Sequence, residues 1–133
     1  MREQSVGVHR RPITQDQVGT VFEQGLMLQC IYLNRALRKG WTFSAYRTES
    51  GAEVELVVER EDDIVGIEIK AGRNVSGSDS RGLRSLSETI GRSKPLRKWM
   101  VYRGNTRQLL AGDIWVYPYL EALSVLFGLS SQE

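Results

Sequence analysis

The sequence has 133 residues, of which 41% are hydrophobic and 26% are charged, with a formal net charge of +2. These values are typical of one folded domain and exclude a disordered chain. The single cysteine, Cys30, excludes an intrachain disulfide, and the single histidine, His9, excludes a histidine-pair metal site. Neither a signal peptide nor a bilayer-spanning apolar run is recognisable, so we expect a cytoplasmic protein without membrane contact.

The chain is expected to begin with a polar N-terminal arm, residues 1–17, followed by one domain over residues 18–133. The first helix is predicted over Val18–Arg38, where apolar residues recur at helical spacing and Gly40 follows a basic end. We expect most of this apolar stripe to lie in the core. Glu23 lies in the first turns of the helix, where an acid is favourable without any function.

A short aromatic strand is predicted over Trp41–Arg47. The next two strands, Val54–Val58 and Ile64–Ile69, flank a charged turn, and their alternating pattern predicts a β-hairpin. Because successive side chains point to opposite faces of a strand, Glu68 and Lys70 lie on the same face of the sheet. Two charged groups therefore stand side by side at the end of a strand that is otherwise apolar.

If the hairpin strands pair antiparallel, Glu55 comes close to Glu68 and Lys70. Charged groups on a half-buried sheet are costly unless they pair or hold a metal ion. One interpretation is a Glu–Lys pair on a solvated sheet face, which is the commoner case. The other is a divalent-metal site, since carboxylates suit Mg²⁺ or Mn²⁺ and a lysine can stabilise charge on a phosphate.

The rest of the chain predicts a helix, three strands and a final helix. Their bounds are Asp79–Gly91, Leu96–Tyr102, Thr106–Leu110, Ile114–Tyr117 and Tyr119–Phe127. The final helix is apolar on more than one side, which favours packing against a second chain, as in a homodimer. The helical crossover lets the strand at Leu96 run parallel to an earlier strand. The predicted class is therefore α/β, with a mixed central sheet flanked by helices.

Charge is unevenly distributed along the chain. Residues 49–70 carry eight acids against two bases, whereas residues 71–107 carry nine bases against two acids. An acidic strand pair beside a basic stretch is expected of a metal site next to a nucleic-acid surface, although a solvated basic helix has the same composition. The candidate phosphate contacts are Arg81, Arg84, Lys94, Arg97 and Lys98.

This order of elements resembles the PD-(D/E)xK nuclease-like fold. More closely, it resembles the uncharacterised C-terminal domain that follows an AAA+ ATPase module in a large prokaryotic protein family. The matching stretches are Gly19–Glu23, Tyr46–Glu55 and Ile67–Lys70, with a looser match at Ser80–Leu83. The resemblance covers Val18 to Pro118 and implies a restriction-endonuclease-like α-β-β-β-α-β core.

The resemblance implies four catalytic positions: Glu23, Glu55, Glu68 and Lys70. It implies that Glu55 and Glu68 hold Mg²⁺ or Mn²⁺. The family usually has Asp where this chain has Glu55, whose extra methylene moves the carboxylate oxygens. No Gly-x-x-x-x-Gly-Lys-Ser/Thr loop occurs, so we expect no nucleotide site in this chain.

Two functions are compatible with these residues. The first is a metal-dependent nuclease that hydrolyses phosphodiester bonds of nucleic acid. The second is a non-catalytic module that binds a protein partner or nucleic acid on behalf of an AAA+ ATPase, because folds of this kind also serve as scaffolds. Metal binding favours the first function, and a stable dimer or partner complex favours the second.

Overall fold

A computed structural model of the protein describes residues 15–90 and 94–129. Within these residues, three helices and six strands follow one another along the chain. They are α1 Gln15–Ala36, β1 Thr42–Arg47, β2 Glu53–Glu59, β3 Ile64–Ile69, α2 Arg81–Thr89, β4 Leu96–Tyr102, β5 Gln108–Leu110, β6 Ile114–Pro118 and α3 Tyr119–Leu126. A short 3₁₀ turn, Gly77–Ser80, precedes α2.

The six strands form one mixed sheet in the order β1-β2-β3-β4-β6-β5. Strands β1, β2 and β3 form an antiparallel meander. The crossover through α2 places β4 parallel to β3, and β6 is parallel to β4. The predicted α/β class with a mixed sheet is confirmed. Strands β3, β4 and β6 all end at one edge of the sheet, here called the carboxyl edge, and begin at the opposite edge.

Helices cover both faces of the sheet, and alternation along each strand divides the core into two clusters. In β4, Trp99 and Val101 pack towards α1 and α3, whereas Met100 and Tyr102 pack towards α2. All four side chains are at most 2% exposed. Gly66 in β3 lies beneath α2, where an added Cβ atom would contact the leucine side chains of that helix. The central strands are therefore buried on both faces, as parallel strands usually are.

Helix α1 differs from its prediction at both ends. It begins at Gln15, so the last three residues of the predicted arm are helical, and residues 1–14 lie outside the described residues. It ends at Ala36 instead of the predicted Arg38. Arg38 itself adopts a left-handed φ of 55°, and the Lys39 N–H donates to the Asn34 carbonyl over 3.0 Å. This is the hydrogen bond that closes a helix, so the helix ends before Gly40.

The apolar stripe of α1 is wider than the face that the sheet covers. Leu26 and Cys30 are buried, but Val21, Leu28 and Tyr32 are 52%, 65% and 65% exposed. These three side chains recur at intervals of seven and four residues and form a line along the helix, here called the exposed face of α1. Ala36 and Leu37, at and just after the end of the helix, are exposed as well. The expectation that most of the stripe lies in the core was therefore wrong.

Helix α3 packs mainly within its own chain. Ala122, Leu123 and Leu126 are buried against the sheet, whereas Leu120 is 72% exposed. We expected a homodimer through this helix because it is apolar on several sides. The chain itself covers most of these sides. A dimer through α3 stays a prediction, with Leu120 as its exposed contact.

Candidate active site

Strands β2 and β3 separate at the carboxyl edge. Their pairing ends where Leu56 lies opposite Ile67. Just beyond this point, Oε1 of Glu55 accepts the Ile69 N–H over 2.8 Å, so a carboxylate oxygen replaces a backbone carbonyl of the ladder. The glutamate side chain is long enough to reach the neighbouring strand. One oxygen of Glu55 is thereby fixed, while the carboxylate remains half-buried beside the gap between the strands.

Glu68 lies on β3 in this gap and is only 5% exposed. Its Oε1 accepts the Leu83 N–H from the first turn of α2 over 3.2 Å. Its Oε2 lies 3.5 Å from Nζ of Lys70, whose own backbone N–H donates to Val101 of β4 over 2.8 Å. The side-by-side placement predicted for Glu68 and Lys70 is therefore present, with an additional amide donor from α2.

Helix α1 brings Glu23 to the same place. Burial raises the pKa of Glu23, and the negative charges of Glu55 and Glu53 raise it further, whereas the positive charge of Lys70 lowers it. Glu23 of α1 therefore lies within electrostatic range of Glu55 on β2 and of Lys70 directly after β3. Glu53, which was not predicted, adds a further carboxylate from β2, and Arg47 of β1 pairs with it over 3.5 Å.

Burial also raises the pKa of Glu55 and of Glu68 above the ordinary carboxyl value. The amide donors Ile69 and Leu83, together with the Lys70 ammonium, favour the ionised carboxylates, but desolvation is the stronger effect. Several acids therefore share one lysine in a poorly solvated gap. Perturbed groups of this kind cluster at functional sites.

The donor set suits a hard divalent cation. Among residues 15–90 and 94–129, no group of three or more acidic, histidine or cysteine side chains is arranged to hold a metal ion unaided. Mg²⁺, however, usually keeps several waters and binds through one or two carboxylates together with substrate phosphates. One oxygen of Glu55 and one of Glu68 accept backbone amides, and the second oxygen of Glu68 lies beside Lys70, so these two carboxylates are the residues that would hold Mg²⁺ or Mn²⁺ together with water and phosphate.

Gly82 permits the close approach of α2. A Cβ atom at this position would lie 2.0 Å from the carbonyl oxygen of Glu53. Without a side chain, the first turn of α2 rests directly on β2, which brings the Leu83 N–H within reach of Glu68. The loose match at Ser80–Leu83 pointed to this segment, but the pattern contained no sign of the backbone contact.

The structure divides the predicted basic residues between the two edges of the sheet. Arg81 and Arg84 lie in the first turn of α2, on either side of Leu83 in the sequence, and they donate to the carbonyls of Ser50 and Gly77 respectively. Lys94, Arg97 and Lys98 lie on or before the first half of β4, which begins at the opposite edge. Because β4 runs parallel to β3, these three residues are remote from Lys70.

At the opposite edge, ion pairs occupy Lys94 and Arg97. Lys94 pairs with Glu59 over 3.1 Å, and Arg97 pairs with the buried Asp63 over 2.6 Å. Asp63 also accepts two hydrogen bonds of 2.7 Å from Arg60. These contacts fasten the β2–β3 turn to β4 and thus have a structural role.

Arg103 is a basic residue that was not among the predicted phosphate contacts. It follows β4 at the carboxyl edge and is exposed. Its N–H donates to the Gly72 carbonyl over 3.0 Å, and its guanidinium donates to the Ala71 carbonyl over 3.2 Å. Both acceptors belong to the loop that directly follows Lys70. The rule that parallel strands end together could have located it.

The fold and the site together define an α/β domain with an acidic gap at the carboxyl edge of a mixed sheet. The chain belongs to the family described as a domain of unknown function, DUF4143, whose model matches residues 18–122. This domain is typically found in AAA-ATPase-associated proteins, which agrees with that part of the resemblance. No curated protein and no solved structure matches the chain. Within the described residues, none of the helices has the length and apolar character needed to cross a membrane.

Proposed function

We propose that this chain is a nuclease domain that hydrolyses phosphodiester bonds with Mg²⁺ or Mn²⁺. The observation that carries the proposal is the buried Glu68, which meets Glu55 and Lys70 where β2 and β3 separate. Lys70 offsets the desolvation of Glu68 only in part, and a second acid lies beside it, so a further cation would reduce the cost of burying this carboxylate. The free-energy cost of burying Glu68 is explained if the carboxylate serves to bind a metal ion that acts on a charged substrate.

Each residue of the gap has a distinct part in this proposal. Glu55 and Glu68 would hold the cation, while the Ile69 and Leu83 amides keep their carboxylates oriented. Bound there, the cation would lower the pKa of a water and neutralise phosphate charge. Lys70 would orient the attacking water and balance the charge that develops on the phosphate.

Glu23 would support the metal or its water from α1. Its raised pKa brings the carboxylate closer to the range in which a group can both accept and return a proton near neutral pH. Arg81 and Arg84 are exposed on α2, whose Leu83 amide contacts Glu68, and would contact the phosphate backbone without reading sequence. The remaining predicted contacts would contribute only if the bound nucleic acid extended to the opposite edge of the sheet; they are Lys94, Arg97 and Lys98.

Calorimetric titration with Mn²⁺ or Mg²⁺ tests the proposal. We expect binding by the wild type, no binding by Glu68→Ala, and unchanged binding by Glu88→Ala, a control at an exposed position of α2. Cleavage of labelled DNA and RNA should require both Glu68 and Lys70. Absence of binding at millimolar metal, or cleavage that persists in Glu68→Ala and Lys70→Ala, would refute the proposal.

A second candidate function is that of a non-catalytic interaction module for an AAA+ ATPase-associated protein. The exposed face of α1, formed by Val21, Leu28 and Tyr32, supports it, because a contiguous apolar face often marks an interface. This function predicts a stable dimer or a complex with an AAA+ ATPase module that Leu28→Asp disrupts, and no stabilisation by metal. Light scattering after size exclusion measures both species. A wild-type monomer whose melting temperature rises with Mn²⁺ would count against it.

A further inference from the structure

A cleft of about 530 Å³ opens at the carboxyl edge, beside the acidic gap. It lies between α1, the loop after β4 and the start of α3. Its lining residues are Phe22, Tyr102, Arg103, Gly104, Asn105, Pro118, Tyr119, Leu120 and Glu121. Tyr102 and Pro118 are the last residues of two parallel strands, and crevices at this edge are the usual binding position in α/β sheets.

The loop after β4 is held in place by the Tyr102 ring. A Cβ atom at Gly104 would lie 2.3 Å from that ring, so only glycine lets the backbone cross it this closely. The Tyr102 hydroxyl donates to the Thr106 carbonyl over 2.6 Å, and the Thr106 N–H donates back to the hydroxyl over 3.3 Å. Arg103 and Asn105 therefore project from a preorganised loop.

Arg103 connects the cleft to the acidic gap. Its two hydrogen bonds to Ala71 and Gly72 tie the cleft wall to the loop that follows Lys70. Backbone hydrogen bonds join Lys70 to Val101 and Arg103 to Gly72, so Arg103 lies on the adjacent segment just beyond Lys70. A strand with one phosphate beside Lys70 is therefore expected to have its adjoining phosphate near Arg103. The exposed guanidinium supplies a positive charge for the adjoining phosphate.

The chemistry of the cleft is mixed in a way that suits a nucleobase. The Phe22 and Tyr119 rings, with centroids 5.4 Å apart and planes inclined by 58°, form an angled aromatic wall on which one ring face at a time can stack a base. Leu120 extends this wall with a side chain that is 72% exposed. The Asn105 amide offers both donors and an acceptor for the edge of a base. The acidic side chain at the rim, Glu121, is paired with Arg107.

We propose that this cleft binds a single unstacked nucleobase of a single-stranded nucleic acid, whose phosphate contacts Arg103. The proposal rests on the proposed function, in that it names the substrate class of the same site. A base within a duplex is stacked on both faces and does not offer its flat surface to an aromatic wall. A cleft that binds an unstacked base should therefore prefer single strands or frayed duplex ends to an intact duplex.

The test compares three fluorescent ligands of equal length by anisotropy in EDTA: oligothymidine, the same strand with abasic units, and a duplex. We expect the wild-type chain to bind oligothymidine about tenfold more tightly than the abasic strand, as one stacked base contributes. Leu120→Asp should remove this preference. Leu129→Asp is the matched control, because Leu129 is 60% exposed just beyond the other end of α3. Arg103→Ala should weaken binding of both single strands.

Circular dichroism first verifies that each variant is folded. Equal affinity for the normal and abasic strands, preference for the duplex, or an unchanged preference in Leu120→Asp would each overturn the base-binding cleft. Absence of binding to all three ligands would overturn it as well. These results are independent of metal, so the calorimetric result with Glu68→Ala decides the nuclease proposal separately, and Glu68→Ala should retain the base preference.

Discussion

At the scale of single residues, the acids of the gap oppose folding. Burial raises the pKa of Glu23, Glu55 and Glu68 above the ordinary value of 4.5. The unfolded chain therefore loses these protons at a lower pH than the folded chain. Between 4.5 and the raised folded pKa values, the free energy of unfolding decreases as pH rises. A bound cation would remove this cost by stabilising the ionised carboxylates.

The Glu68→Gln variant tests directly whether the buried charge of Glu68 destabilises the folded chain. The glutamine side chain keeps the shape and an oxygen for the Leu83 N–H, but it removes the buried charge. We expect the metal-free variant to be about 1 kcal/mol more stable than the wild type at pH 7, and to lose any stabilisation by Mn²⁺. Urea unfolding with and without Mn²⁺ measures both effects, with Glu88→Gln as the exposed control. A variant that is less stable without metal and still responds to Mn²⁺ would contradict the expectation.

The raised pKa values also predict proton release on metal binding. At a pH between the ordinary carboxyl pKa and the raised pKa values of the folded chain, a fraction of Glu55 and Glu68 should be protonated, and a cation must displace these protons. Apparent affinity for Mn²⁺ should therefore increase as pH rises towards 7. Calorimetry in two buffers of different ionisation enthalpy counts the released protons. Identical heats in both buffers would show that the carboxylates are already fully ionised.

At the scale of elements, the position of α2 determines the geometry of the gap. Its first turn rests on β2 only because residue 82 is glycine. Gly82→Ala should destabilise the fold by about 2 kcal/mol, because the added methyl group forces α2 away from β2. The Leu83 amide would then move away from Glu68, so Mn²⁺ affinity should also fall.

Gly25→Ala is the matched control for this change. Gly25 lies within α1, and an added Cβ atom there would meet no atom within 4 Å. Alanine is the better helix former, so this variant should be more stable by about 0.5 kcal/mol. Chemical unfolding of the two variants should thus give opposite signs. A tolerated Gly82→Ala would mean that the α2–β2 contact is not needed to position the site.

The sequence sufficed to predict the elements because their patterns are local. Alternation identified β2 and β3, and the crossover through α2 correctly predicted a parallel β4. The edge of the sheet at which a side chain lies depends on how the strands are arranged, and a local sequence pattern does not contain this information. Lys94 and Arg97 were predicted as phosphate contacts, yet they lie at the start of β4, whereas Arg103 lies at its end. The exposed face of α1 was missed for the same reason, since periodicity does not show how wide a face the sheet covers.

At the scale of the whole molecule, the two edges of the sheet use charge differently. At the opposite edge, the guanidiniums of Arg60 and Arg97 outweigh burial and hold the pKa of Asp63 below its ordinary value. Arg60 also donates to the carbonyl of Leu126 at the end of α3 over 2.8 Å. This edge therefore stabilises the fold through compensated charges, whereas the carboxyl edge holds excess acid.

The Asp63→Asn variant should change the stability of the fold without changing metal binding at the acidic gap. Loss of the buried charge between two arginines should destabilise the chain by about 2 kcal/mol at pH 7, with Mn²⁺ binding unchanged. The contribution of Asp63 is present above its ordinary pKa of 3.8 and is lost as pH falls through the lowered folded value. The stabilities of the wild type and the variant should therefore converge in strong acid. Unfolding curves at pH 7 and pH 3 measure this, and a constant difference would contradict it.

The hydrogen bond from Ile69 to Glu55 has a consequence for spectroscopy. The Ile69 amide proton donates to an oxygen that titrates and that a cation would polarise, whereas the amides around it donate to backbone carbonyls. Its nitrogen and proton resonances should therefore shift with the ionisation of Glu55 and shift again when metal binds. One backbone signal would thus report the chemical state of the gap in solution, without a label and without a substrate.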